Sequence, residues 1–267
     1  MKPALCFVTY FPKDDFFARV ATAIGLGYEV YVFDNSLDAP ERARLSALEG
    51  VNYQGDGKNW GMGVALKRLM QWVRPLHGWG LYLDQDTWFN GEGLAWIGQW
   101  LGIHERELGA FAAVNVLAPK GLRHLPAGTR VNTPLMVSSG TLFQLEKLEQ
   151  TGWHNENWFL ECVDYEWCGR ALQRGFSLGY VTGCVGIDHE VLQPIDTVWW
   201  AGKARAFRVY TWRRNRQFLT GLLYLFVWGV GHGQYKYAWA CIRNFGTHVL
   251  NQLGAIVLER IDQMKQR

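Results

Sequence analysis

No stretch of this 267-residue sequence reaches the ~18 uninterrupted apolar residues that crossing a bilayer requires, and the nearest, Phe218–Gly231, runs to fourteen. Met1-Lys2-Pro3 leads straight into a strand-like run, so no secretory signal is expected. Cysteine is sparse. Cys6, Cys162, Cys168, Cys184 and Cys241 form an odd set without Cys-x-x-Cys spacing, for which a reducing cytoplasm is the best fit. Cys162 and Cys168 could be written as zinc ligands, but free cysteine is more often a small buried apolar residue. A charge surplus is missing as well: 27 basic and 24 acidic residues leave +3, without the strong basic excess of a nucleic-acid protein. There are no internal repeats and no low-complexity tracts, and nothing in the composition supports disorder.

What is present is apolar and periodic. Hydrophobic residues make up 49% of the chain, enough for one large α/β domain or one such domain with a tail. Ala4–Tyr10 reads as a strand ended by Phe11-Pro12, Phe16–Ile24 as a helix, and Tyr28–Phe33 as a strand closing on Asp34-Asn35-Ser36. That strand–helix–strand order is the unit of a parallel sheet. Arg42–Leu48 is expected to be helical and Val51–Gln54 a short strand. Asp56–Gly63 is then a glycine-rich turn, whose glycines would let backbone come close to a ligand, entering helix Val64–Val73. Helices are further expected over Leu94–Leu101 and Leu145–Thr151, and one opening near Glu161 puts Asp164 in its first turn. Strands are expected near Ala110–Val116 and over Phe176–Val181, and Met136–Phe143 reads as a strand and tight turn.

The centre of the pattern is Leu81-Tyr82-Leu83-Asp84-Gln85-Asp86-Thr87-Trp88-Phe89. Read as one strand, it sends Asp84 and Asp86 to the same side, about 7 Å apart by strand rise. Two carboxylates at the carboxyl end of a buried strand in an open α/β sheet stand where ligands bind, and a Mg²⁺ or Mn²⁺ ion bridging phosphate oxygens is their natural occupant. A solvated strand end is the plain alternative. From Gln193 onward the chain changes character: Trp199-Trp200, then Arg205, Arg208, Arg213, Arg214 and Arg216, then the apolar stretch and a helix-like run over Tyr235–Val257. The expected division is residues 1–191 as catalytic core and residues 192–267 as a Trp- and Arg-rich helical extension. Such a tail suits the anionic inner face of a membrane, and equally packing on the core or a homodimer interface.

Ordered blocks reading VTYFP (Val8–Pro12), VFDNS (Val32–Ser36), NWGMGVALKRL (Asn59–Leu69), LYLDQDTW (Leu81–Trp88), SSGTLF (Ser138–Phe143), VDYEWCGRALQRGF (Val163–Phe176), DHE (Asp188–Glu190) and YTWRRN (Tyr210–Asn215) together resemble the bacterial family-2 glycosyltransferases, in particular their rhamnosyltransferase-like branch. The resemblance covers roughly Leu5–Leu219. It implies a GT-A fold, a Rossmann-like α/β/α arrangement with a mostly parallel central sheet, here followed by the helical tail. It implies inverting transfer of a sugar, rhamnose from dTDP-rhamnose in the first instance, to a saccharide or lipid-linked saccharide in surface polysaccharide synthesis. By the same resemblance Thr9, Tyr10, Asp34, Asn59 and Gly61 touch the nucleotide, Asp84 and Asp86 form the metal-binding pair, and His189 adds a metal contact. Arg214 would reach the donor pyrophosphate, and Asp164 is the catalytic base, with Val163 standing where many relatives carry glutamate. Glu166 is the competing base. A sugar nucleotidyltransferase and a non-catalytic membrane-associated scaffold are the other function classes open at this point.

Overall fold

The computed structural model describes residues 1–267 except 38–39, 123, 190–195, 201–202, 208–209 and 266–267, and describes only the backbone of residues 41, 189, 196–200, 203–207 and 255–265. The chain divides into two units, Met1–Glu190 and Val191–Arg267.

The first unit opens with β1 (Ala4–Thr9), α1 (Asp14–Gly25), β2 (Val30–Asp34), α2 (Pro40–Ser46), β3 (Val51–Gly55), α3 (Gly61–Val73) and β4 (Trp79–Asp84). These four strands are parallel, paired Thr9 to Asp34, Asp34 to Gly55 and Val8 to Asp84. Their carboxyl ends therefore share one edge of the sheet. Leu5, Phe7, Leu81 and Leu83 on these strands are fully buried, each side chain contributing about 1.5–3 kcal/mol relative to exposure. Parallel strands covered by helices on both faces need such near-continuous apolar runs, which is why this half of the chain reads clearly.

There follow β5 (Thr87–Phe89), α4 (Gly91–His104), β6 (Phe111–Asn115), β7 (Arg130–Asn132), β8 (Thr141–Gln144), α5 (Leu145–Thr151), α6 (Val163–Gln173), β9 (Ser177–Val181) and β10 (Ile187–His189). The main sheet has the order β3-β2-β1-β4-β8-β6-β9-β7. β8 runs antiparallel between β4 and β6, pairing Thr141 with both Tyr82 and Asn115. Its entry loop, residues 136–140, consequently crosses the edge where the parallel strands end.

Three expectations need correction. The run Leu81–Phe89 is not one strand: β4 stops at Asp84, Gln85 and Asp86 form a turn, and β5 leaves the sheet to pair with β10, Thr87 opposite His189. The physical reason is a clamp on Gln85. Its side chain accepts from the Tyr10 N–H at 2.7 Å and donates to the Tyr10 carbonyl at 3.0 Å, while Arg19 donates to the Gln85 carbonyl at 2.7 Å. Over Met136–Phe143, expected as a strand and tight turn, the turn lies at Ser139–Gly140 and the strand begins only after it, at Thr141. The tail is not purely helical: β11 (Asp196–Trp200) and β12 (Lys203–Phe207) form an antiparallel hairpin before its helices.

The second unit is completed by α7 (Trp212–Gly231) and α8 (Tyr235–Lys265), packed against each other. Thr211 caps α7 by accepting from the Arg214 N–H. The helices close at Gly229, where a Cβ would stand 2.8 Å from Tyr237 Cδ1, so only glycine allows this approach.

Candidate functional site

Four strand ends and the residues after them build the site. At β1 and β2, Thr9 Oγ1 donates to Asp34 Oδ1 at 2.9 Å, and the same oxygen accepts from the Ser36 N–H and hydroxyl at 3.0 and 2.7 Å. Tyr53 donates to Asp34 Oδ2 at 3.2 Å. Asp34 is 1% exposed, and its carboxylate holds three strand ends together. Tyr10 is exposed, and the next residue, Phe11, is held at φ 50° with its N–H on Ser36 Oγ. A bulky residue in the left-handed region is strained backbone, of the kind that gathers at ligand sites.

The glycine-rich turn is fixed by its own side chains and by a neighbouring segment. Asn59 accepts from the Gly61 N–H at 3.0 Å, and Asn35 bridges the Trp60 N–H and the Gly61 carbonyl. Gly61, at φ 77°, would carry a Cβ 2.6 Å from the Phe159 carbonyl, and a Cβ on Gly63 would run into the Asn155 carbonyl. Met62 and Gly63 donate their N–H groups to the carbonyls of Phe159 and Trp158. The close approach the glycines permit is thus made by the protein's own segment 155–159, which uses the amino end of α3 as its dock.

That segment leads into α6, and α6 carries Asp164. Cys162, its N-cap, adopts φ 63°. This second left-handed non-glycine residue lies two positions before the acid. Asp164 Oδ2 accepts from the Ser138 N–H at 3.2 Å and Oδ1 from the Tyr165 N–H at 3.0 Å. Burial nonetheless pushes its pKa up to about 6, these two bonds pull the other way, and the neighbouring Asp84 charge adds to the rise. Glu166 does not compete for the cleft: it lies on Arg170 at 2.7 Å, and Arg170 also donates to the carbonyls of Thr151, Gly152 and Trp153. This fork ties α6 to the segment before it.

The two acid-bearing elements are joined through consecutive residues of the loop before β8. Ser138 holds Asp164, and Ser139 Oγ accepts from the Asp84 N–H at 3.0 Å and pairs with Thr87 Oγ1 at 2.7 Å. Buried Asn115 fixes that loop by donating to the carbonyls of Val137 and Ser139. Gly140, at φ 76°, completes it with an N–H to the Tyr82 carbonyl. Tyr82 donates to Asp84 Oδ1 at 2.8 Å, and its phenol is raised well above its ordinary value by burial first and then by Asp84, Asp86 and Asp164 together. Three carboxylates therefore act on one buried hydroxyl.

Gln85, Asn115, Ser138 and Ser139 are the residues whose roles sequence reasoning missed. Ser138 and Ser139 lay inside a recognised block, but their function is tertiary and leaves no local trace. The His189 side chain lies outside the described residues; its backbone stands opposite Thr87, the residue directly after the Asp84–Asp86 turn. Arg214 belongs to the second unit, where its guanidinium stacks 4.7 Å over the Tyr210 ring. The five cysteines, all among the described residues, form no disulfide with one another. Among the described residues no group of three or more His, Cys, Asp or Glu could hold a metal by itself. Asp84 and Asp86 are two hard oxygen donors in one turn, which fits an ion that takes one or two carboxylates and completes its shell with phosphate and water.

No protein-family model matches the chain, and no curated protein matches it. Solved structures do. S. aureus TarS aligns with a TM-score of 0.55 at 14% identity over 70% of this chain and 36% of that one. TarS 1–349 gives 0.54 at 14% identity over 70% and 60%. GalNAc-T7, crystallised with UDP, GalNAc and Mn²⁺, gives 0.54 at 14% identity over 68% and 42%. The chain thus spans between about a third and three-fifths of the length of these structures. The likeness is one of fold: α/β, of the GT-A kind, with a mostly parallel central sheet and C-terminal helices.

Proposed function

We propose that the first unit is the catalytic domain of an inverting glycosyltransferase that moves a sugar from a nucleotide-sugar donor to a saccharide or lipid-linked saccharide acceptor. The observation that carries this is the pairing of Asp164, with its pKa near 6, with the Asp84–Asp86 turn through Ser138 and Ser139. Inversion in a single displacement needs one carboxylate to take a proton from the acceptor hydroxyl and, on the opposite side, a cationic environment for the departing diphosphate. Asp164 is suited to the first task, because a base with a pKa close to the working pH is both ionised and basic enough to pull. Its two N–H donors and the Cys162 turn hold it still. As the acceptor oxygen bonds to the anomeric carbon, the bond to phosphate breaks, the proton passes to Asp164, and nucleoside diphosphate leaves. Mg²⁺ or Mn²⁺ held by Asp84 and Asp86 would supply positive charge against that diphosphate. Donor contacts are assigned to Thr9, Tyr10, Asp34, Asn59 and Gly61, a further metal contact to His189 and a pyrophosphate contact to Arg214. The Mn²⁺ and UDP bound to GalNAc-T7 support a divalent ion and a nucleotide donor.

The finer reading is rhamnosyl transfer from dTDP-rhamnose in bacterial surface polysaccharide synthesis, by residues 1–191, with residues 192–267 as an extension. It rests on the block order of the sequence. A panel of dTDP-, UDP- and GDP-sugars with Mg²⁺ or Mn²⁺, followed by product analysis, tests both levels. Released nucleoside diphosphate is expected, and pyrophosphate would mean nucleotidyl transfer instead. Asp86→Ala and excess EDTA should each abolish turnover, and full turnover in EDTA would remove the metal from the scheme.

A further inference from the structure

The second unit has a charge distribution unlike the rest of the chain. Residues 197–258 contain no Asp or Glu but eight cations, Lys203, Arg205, Arg208, Arg213, Arg214, Arg216, Lys236 and Arg243, leaving 19 of the 27 basic residues to face all 24 acids elsewhere. A run of 62 residues without an acid is a field of one sign, and it calls for an anionic partner.

The helices show what kind. On α7 the inward side carries Gly221, Leu222, Leu225 and Gly229, while Arg216, Leu223, Val227 and Val230 follow one another at helical spacing along the exposed side. Trp212 begins that exposed side at 79% exposure and Val227 stands at 67%. α8 repeats the arrangement: Tyr237, Ala238 and Cys241 are buried, whereas Tyr235, Trp239, Arg243 and Leu250 line an exposed stripe, Trp239 at 68%. Each helix therefore presents aromatic and aliphatic groups interleaved with arginine, and no helix among the described residues is long and apolar enough to cross a membrane.

We infer that the α7–α8 hairpin lies in the surface of an anionic lipid bilayer, with its exposed tryptophans, tyrosines and aliphatic residues in the headgroup and upper acyl region and its arginines on lipid phosphates. Tryptophan and tyrosine are at home at that boundary, and each nearby cation adds attraction to anionic lipid. A second copy of the chain fits less well. A self-complementary interface over these stripes would bury arginines against arginines, and residues 197–258 hold no carboxylate to pair with them. A nucleic acid would match the cations but leave Leu223, Val227, Val230 and Leu250 uncovered.

The test is flotation of the full chain with vesicles of phosphatidylcholine alone and with about 30% phosphatidylglycerol, at low and high salt. This readout is independent of catalysis, so it stands or falls apart from the glycosyl-transfer reading. The expected result is co-flotation with anionic vesicles only, released by high salt. Arg213→Glu with Arg216→Glu, and separately Val227→Gln with Trp239→Gln, should each weaken partitioning at least about tenfold while circular dichroism keeps the wild-type helix content. Failure of the wild-type chain to float with anionic vesicles at low salt overturns the inference, as does equal binding to neutral vesicles. A dimer in light scattering that the Val227/Trp239 variant dissociates, without lipid binding, assigns the face to a second copy instead. Because the lipid and salt arms use the wild-type chain, misfolding of a variant does not blunt the test.

Discussion

Asp34 and Asp164 are two carboxylates of one unit with opposite surroundings. Asp34 ends β2, is 1% exposed, and accepts from the Thr9 hydroxyl, both donors of Ser36 and the Tyr53 hydroxyl. Asp164 opens α6 after a left-handed residue, accepts from two backbone N–H groups, faces the charge of Asp84, and has its pKa pushed up to about 6. What separates them is donor supply, since a buried carboxylate met by several donors is a fastening, whereas one met by few and crowded by another acid keeps an appetite for a proton. A carboxylate that the fold satisfies stabilises the strand ends. One that the fold leaves wanting can do chemistry.

The sharpest way to break this contrast is Asp164→Asn, which keeps shape but cannot take a proton. It should lower kcat by about 10²–10⁴-fold with donor affinity almost unchanged, whereas Glu166→Gln, acting on the Arg170 fork, should leave most of kcat in place. Stopped turnover with intact donor binding in titration calorimetry is the expected pattern, and the reverse pattern moves the base to Glu166. Next in size comes Asp34→Ala. It strands the Thr9, Ser36 and Tyr53 donors, and because an unsatisfied buried group costs roughly 1–3 kcal/mol, a loss of at least about 2 kcal/mol is expected in denaturant unfolding. An unchanged midpoint would mean Asp34 is not the fastening described.

How much of this was legible beforehand follows the same physics. β1, β2 and the body of β4 could be read because parallel strands buried on both faces must be apolar runs, and Thr9 and Asp34 are polar ends of such runs, whereas β3 alternates. The break after Asp84 could not, since LYLDQDTWF alternates well enough for a strand and the decision is made by Tyr10 and Arg19 holding Gln85 from other elements. β5, β7 and β10 are three residues each, too short for any period to show. The β11–β12 hairpin was hidden by tryptophan and arginine content that suits a helix as well. For the site, the acids themselves could be named, but Ser138, Ser139 and Asn115 could not, because a loop that joins two acids has no spacing of its own. Gly61 and Gly63 could be read as sites of close approach, but the approach made by segment 155–159 is tertiary and leaves no local signal.

A smaller effect sharpens the contrast through pH. With Asp164 as base and its pKa near 6, kcat/KM should fall about tenfold for each pH unit below about 6 and level off above it. A profile flat down to pH 5 would mean the carboxylate is held ionised by groups other than those seen around it.

The smallest effect has the least intuitive sign. The pKa of Asp164 is about 6 in the folded chain, against an ordinary value of 3.8, so between about pH 4 and pH 6 the folded state binds more proton than the unfolded one. Stability then declines as pH rises through that window, because ionising the half-buried carboxyl costs more in the fold than in water. Two units would correspond to about 3 kcal/mol, but the carboxyl keeps partial access to solvent and two N–H donors, and about 1–2 kcal/mol is the expected share. Asparagine has no such cost. The inactive Asp164→Asn protein should therefore melt a few degrees above wild type at pH 7.5 and level with it at pH 4, with EDTA present so that no divalent ion contributes. Asp34→Ala should melt below wild type at both. If Asp164→Asn also melts lower at pH 7.5, the Ser138 and Tyr165 bonds outweigh burial, and Asp164 is a fastening like Asp34.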